Sequence, residues 1–169
     1  TPFSIGWWAV CDDDRLVTSH SGRSVLVPRG ALVRYREWYG CPVGQPNIGV
    51  RLTAEQVADG IRERELLKHD SANEPVYEKI NYSVIDPSAF QHQNGPSVAE
   101  RMMNRGVMFR KADNTRVSPD KGKLGGWDAM RARLRGDGES PMLFVFSTCR
   151  DFIRTVPILQ HDRDRPEDL

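Results

Sequence analysis

Apolar and polar positions repeat along this chain with two different periods, and turn-forming residues cluster where the period changes. Phe3 to Val10 is apolar on both parities, as in a strand covered on both faces. Cys11-Asp12-Asp13-Asp14-Arg15 is polar. Consecutive side chains diverge, so these three acids predict a turn rather than a metal cluster. Leu16 to Val27 predicts a second strand or an edge hairpin, broken by Thr18-Ser19-His20-Ser21-Gly22. After the Pro28-Arg29-Gly30 turn, Ala31 to Tyr39 alternates cleanly. Leu32, Arg34, Arg36 and Trp38 share one parity, while Val33, Tyr35 and Tyr39 share the other. Three early strands separated by turns predict an antiparallel meander.

From residue 53 the period lengthens. Thr53 and Gln56 form a capping box, and Val57, Ala58 and Ile61 continue an apolar stripe to about Leu67. The polar stretch Lys68 to Glu78 contains Pro75 and is expected to be a surface loop. Ile80, Tyr82 and Val84 then alternate with Asn81, Ser83 and Ile85, which predicts the central strand. That strand stops at Asp86-Pro87-Ser88, because proline has no N–H with which to extend a ladder. Ser97 and Glu100 form a second capping box, followed by Val98, Ala99, Met102 and Met103, with Gly106 as the C′ residue. Val107-Met108-Phe109 is a short strand, and Arg110 to Lys123 is a basic loop.

Gly126 to Leu134 predicts a helix with Trp127, Met130 and Leu134 on its buried face. Met142 to Phe146 is a buried-type strand, Thr148 and Asp151 cap a last helix, and Pro157 ends or kinks it. The charged tail from His161 to Leu169 is expected to be poorly ordered. The four tryptophans, Trp7, Trp8, Trp38 and Trp127, fall inside predicted elements and are assigned to core packing rather than base stacking. The whole order is a β-meander followed by alternating α and β. It predicts one α/β domain over residues 1–169, with a central mixed sheet flanked by helices.

Composition narrows the class. With 169 residues, 38% hydrophobic and 28% charged, the chain suits a single globular domain. No apolar run approaches the ~20 residues of a membrane span. The first residues carry no signal-peptide pattern, and they begin without methionine directly in strand-like sequence. The expectation is an excised domain whose first strand has been cut close. Cys11, Cys41 and Cys149 are odd in number and widely spaced, which suits a reducing cytosol rather than a disulfide framework or a zinc site.

Charge is unevenly placed. Residues 101–135 hold ten Lys or Arg against Asp113, Asp120 and Asp128, a local excess of +7 in a chain whose net charge is +1. Such a segment can contact phosphates while the protein as a whole stays near neutral. In open α/β sheets ligands bind outside the carboxyl ends of strands. A carboxylate there, as at Asp86, is a candidate metal ligand or acid/base group, although an Asp-Pro-Ser sequence is by itself more often a plain turn.

Five phrases raise the value of that carboxylate: Pro2 to Val10, Pro28 to Gly40, Asp86-Pro87-Ser88 with Gly95-Pro96-Ser97, Gly126 to Leu134, and Phe146-Ser147-Thr148-Cys149. In this order they resemble the C-terminal nuclease domain of the large terminase subunit of tailed phages and prophages, and the likeness runs from the first residue to about Asp168. The resemblance implies a ribonuclease H-like fold and an endonuclease that cuts concatemeric double-stranded viral DNA during packaging. It implies two divalent cations, Mg²⁺ or Mn²⁺, held by carboxylates, which suits hard cations and phosphodiester hydrolysis.

Asp86 matches the middle carboxylate of that family. The resemblance places the first upstream of Thr1 and the last beyond Leu169, so one of three principal ligands lies in this chain. It also implies a fused ATPase motor, a small terminase subunit and a portal as partners, in the cytoplasm of a bacterial host. No GxxxxGK[ST] loop is present here, so any motor lies in other sequence. Arg110, Lys111, Arg116, Lys121 and Lys123 are then expected to follow the DNA backbone near Asp86, giving affinity without base specificity. Two alternatives stay open: a DNA-binding or docking module with an incomplete catalytic site, and a resolvase- or transposase-like nuclease of the same fold.

Overall fold

In the computed structural model the first half of the described chain runs β1 (Ser4–Val10), β2 (Arg15–Thr18), β3 (Ser24–Val27), β4 (Leu32–Tyr39), α1 (Ala54–Glu65), β5 (Leu66–His69) and β6 (Pro75–Tyr77). The second half runs β7 (Val84–Ile85), α2 (Val98–Met103), β8 (Arg110–Lys111), α3 (Gly126–Arg135), β9 (Leu143–Val145) and α4 (Arg150–Thr155), with 3₁₀ turns at Pro87–Phe90 and Val156–Ile158. The structure describes residues 3–19, 21–42, 44, 45, 48–92, 94–114, 125–136, 138 and 140–159. They form two compact units, Thr1–Val50 with Thr115–Leu169, and Arg51–Asn114. The protein is a mixed α/β molecule with a mixed sheet and helices. Among the described residues no helix is long and apolar enough to cross a membrane.

The first unit is built on a three-stranded sheet ordered β1-β4-β9, antiparallel between β1 and β4 and parallel between β4 and β9. The register slips at Trp7/Trp8, which face Arg36 and Arg34 in turn and pass over Tyr35. A bulge of this kind breaks simple alternation. Arg34 and Arg36, which the sequence pattern puts on one face, therefore lie against different tryptophans. The Arg34 guanidinium is 5.3 Å from the Trp8 ring centroid, and that of Arg36 is 5.5 Å from Trp7. Trp7 is buried, Trp38 meets Phe3 edge-on at 4.8 Å, and Trp8, 39% exposed, meets Phe152 edge-on at 5.8 Å.

Arg34 is the buried charge that organises this sheet. Its guanidinium also stacks 4.5 Å from Phe152 of α4, its Nη2 lies 3.4 Å from the Ile5 carbonyl and 3.5 Å from Glu37, and its Nε has no hydrogen-bond partner. A side chain on Gly6 would overlap that guanidinium, so the glycine in the Phe-Ser-Ile-Gly-Trp-Trp phrase makes room for it. Glu37 accepts from Asp151 N at 2.7 Å and Phe152 N at 3.0 Å, at the first turn of α4. The expected Thr148–Asp151 cap does not form: Cys149 holds the cap position and makes no side-chain cap bond. A carboxylate distant in sequence satisfies the free N–H groups in its place.

The predicted face of α3 also changes. Leu134 is 49% exposed, whereas Arg133 is partly buried and donates to the Gly30 carbonyl. Leu16 to Val27 forms the β2-β3 hairpin, turned by Ser19 and by Gly22 at φ +79°. Asp12, Asp13 and Asp14 serve the turn before it: Asp12 pairs with Arg15, Asp13 accepts from Asp14 N, and Asp14 accepts from Arg29 N.

In the second unit both capping boxes are present, Thr53–Gln56 on α1 and Ser97–Glu100 on α2. Two ion pairs with the same spacing tie α1 to α2 and to the turn that follows it, Arg101–Glu55 and Arg105–Asp59, each at 2.7 Å. Ala58, Ile61, Ala99 and Met102 are buried. Gly106, at φ +81°, closes α2: its N–H reaches Met103 O and that of Val107 reaches Met102 O, the Schellman pattern that favours glycine at C′.

Three expectations fail here. Lys68 to Glu78 is not a loop, because β5 and β6 form a hairpin whose turn is held by Asp70 Oδ1, which accepts from Ala72 N and Glu74 N. The short strand is β8 at Arg110–Lys111 rather than Val107 to Phe109. The strand expected over Ile80 to Ile85 contracts to Val84–Ile85, which pairs with β8 and not with β1, β4 or β9. Tyr82 and Val84, which share one parity of that expected strand, are 64% and 52% exposed.

Candidate functional site

Asp86 sits where the β7 ladder ends. Parallel pairing sets Val84 against Arg110 and Ile85 against Lys111, and Ser83 O and Ile85 O accept from Arg110 N and Ala112 N, each at 2.8 Å. The backbone thus brings three of the candidate residues, Asp86, Arg110 and Lys111, to one short ladder, all with exposed side chains. Arg116, Lys121 and Lys123 lie outside the described residues.

Local hydrogen bonding shapes the carboxylate. Asp86 Oδ1 accepts from Ser88 N at 2.8 Å, and Asp86 caps the 3₁₀ turn with Pro87 at its first position. Ser88, through its hydroxyl and its backbone N–H, holds the Asp86 carboxyl below the usual carboxylate range, so it is ionised at neutral pH. The capped turn carries Phe90, and the Lys111 ammonium lies 5.6 Å from that ring. The Asp-Pro-Ser turn therefore ties the carboxylate to the ladder's second cation. Arg110 lies 5.4 Å from the centroid of Tyr82.

The residues present do not by themselves make a two-ion site. Among the described residues no three His, Cys, Asp or Glu side chains gather into a group able to hold a metal. Asp86 contributes one carboxylate, with one oxygen already engaged by a backbone N–H.

Beside the ladder, before Val84 and Arg110, the two segments diverge and leave an open groove of about 370 Å³. Ile80 to Ser83 form one wall, Gly106 to Arg110 the other, and Glu65 contributes to the lining. The sequence pattern missed this groove because it read both walls as strands. A weak signal existed: Ile85 breaks the parity of Ile80, Tyr82 and Val84, so the apolar alternation never defined a single inner face.

No protein-family model, no curated protein and no solved structure matches this chain.

Proposed function

We propose that this chain is a metal-dependent DNA endonuclease domain of the terminase large-subunit type, with a ribonuclease H-like fold. It would cut double-stranded concatemeric DNA during genome packaging in the cytoplasm of a bacterial host. The observation that carries this reading is the placement of Asp86, from the Asp86-Pro87-Ser88 phrase, beside Arg110 and Lys111 on one ladder. An ionised carboxylate next to two exposed cations can meet a phosphodiester: the cations hold phosphate oxygens, and the carboxylate is a hard ligand for Mg²⁺ or Mn²⁺. The fold reading is supported by the order of elements and by a sheet that is antiparallel on one side of β4 and parallel on the other. The ATPase motor, the small terminase subunit and the portal belong to this proposal as partners.

A second reading, a DNA-binding module with an incomplete catalytic site, is favoured because no group of three or more His, Cys, Asp or Glu side chains gathers among the described residues. Plasmid cleavage in Mn²⁺, with EDTA and Asp86→Ala controls, separates the two. Cleavage abolished by both controls supports the endonuclease. DNA binding without cleavage supports the second reading. Cleavage that survives Asp86→Ala removes Asp86 from the site. A preference for branched over linear DNA would instead indicate a resolvase-like enzyme.

A further inference from the structure

The groove beside the ladder holds chemistry that duplex contact leaves unused. Tyr82 stands in its wall with 64% of its surface exposed, Met108 lines it as well at 72%, and the Arg110 guanidinium lies over the Tyr82 ring, 5.4 Å from its centroid. With that guanidinium over one face of the ring, the other face of the exposed tyrosine can stack a base, and the arginine can take the phosphate of the same nucleotide. A volume of about 370 Å³ lies within the range of small-ligand sites. Arg110 is the cationic side chain among the lining residues, which makes it the anion contact. Tyr82 and Asp86 are four residues apart, at most about 14 Å along the chain. A strand whose phosphate lies at Asp86 can therefore place a nearby nucleotide over Tyr82.

We propose that this groove receives one unpaired nucleotide of a DNA strand, its base stacked on Tyr82 against Met108 and its phosphate on Arg110. The proposal rests on the DNA-binding reading above and adds to it a preference for melted or single-stranded DNA beside the cut. Duplex bases are stacked within the helix and cannot reach Tyr82; an unpaired base can.

The test compares binding of the 169-residue chain to a fluorescein-labelled oligothymidylate and to a duplex of equal length, by anisotropy. Tyr82→Ala is expected to weaken single-strand binding by roughly five- to a hundredfold. Duplex binding should change by less than about twofold, since a backbone contact would be untouched. Tyr82→Trp should keep the single-strand affinity. Met108→Ser, at a still more exposed position and with no change of charge, provides a second variant with the same selective loss expected. Equal losses on both DNAs, or no loss on the single strand, overturn the proposal. Binding of duplex without measurable single-strand binding overturns it while leaving the DNA-binding reading intact, whereas failure to bind either DNA overturns both.

Discussion

Glu37 shows how much one side chain can be asked to do. Its carboxylate accepts two backbone N–H groups of α4 and lies 3.5 Å from the buried guanidinium of Arg34. Nearby, Cys149 is fully buried, and burial pushes its thiol upward, so it is a packing residue rather than a nucleophile. Glu37→Ala leaves Arg34 buried without a counter-charge and α4 without a cap, so a loss of about 3 kcal/mol is expected. Glu37→Gln keeps one acceptor for the helix N–H groups and should lose about half as much. Urea titration of the two variants checks the order; equal losses would mean that charge, not capping, dominates. Sequence alone could not show this pair as such. Residues 34 and 37 differ in parity on a regular strand, and Thr148 looked like the nearer cap.

The pairing of α1 with α2 makes a pH-dependent prediction at the scale of elements. Arg101 chiefly, with the backbone at the start of α1, lowers the Glu55 carboxyl to about 2 from an ordinary value of 4.5. Because the folded-state value is the lower one, the contribution of Glu55 is present above about pH 4.5 and is lost as pH falls toward 2. The pair is more than a third exposed, so water screens it and the effect is modest. Thermal melts of wild type and Glu55→Gln should differ at neutral pH and converge as pH falls through that window. A constant difference would assign the effect to packing. At this scale the capping boxes and the Gly106 terminus were legible, since each is a local motif whose partners lie within a few residues. The β5-β6 hairpin was legible in principle. Asp70 and Asn73, the latter at φ +62°, are turn formers between two short apolar runs, but Pro75 reads as a strand breaker unless it begins the strand.

For the whole molecule, the salt dependence of DNA binding tests the role of the basic segment. If Lys121 and Lys123 each neutralise a phosphate, changing both to Gln should flatten the slope of log affinity against log salt by about 1.8 on duplex DNA. An unchanged slope would remove both lysines from the proposed interface, leaving Arg110, Lys111 and Arg116 as its candidate contacts. Cleavage assays on Asp86→Ala address the other half of the site, and the two experiments are independent. One alters the charge proposed to hold DNA; the other removes the carboxylate proposed to act on it.

Residue order by itself determined what depends on neighbours in the chain: the first strand and Leu32–Tyr39, the two capping boxes, the glycine C-terminus, the Asp-Pro-Ser turn and the basic excess. The expected meander did not form, because among the described residues β2 and β3 pair only with each other and β4 pairs with β1. Only the tertiary structure decided what depends on partners far away. It set the bulge that sends Arg34 and Arg36 to different tryptophans, the use of Glu37 as a distant helix cap, and the pairing of Val84–Ile85 with Arg110–Lys111. The physical reason is that periodicity reports which side chains prefer burial, whereas a strand exists only where another backbone offers its N–H and C=O groups. The ladder pairs only Val84 and Ile85 with β8, and the preceding residues of the expected strand form the wall of a groove.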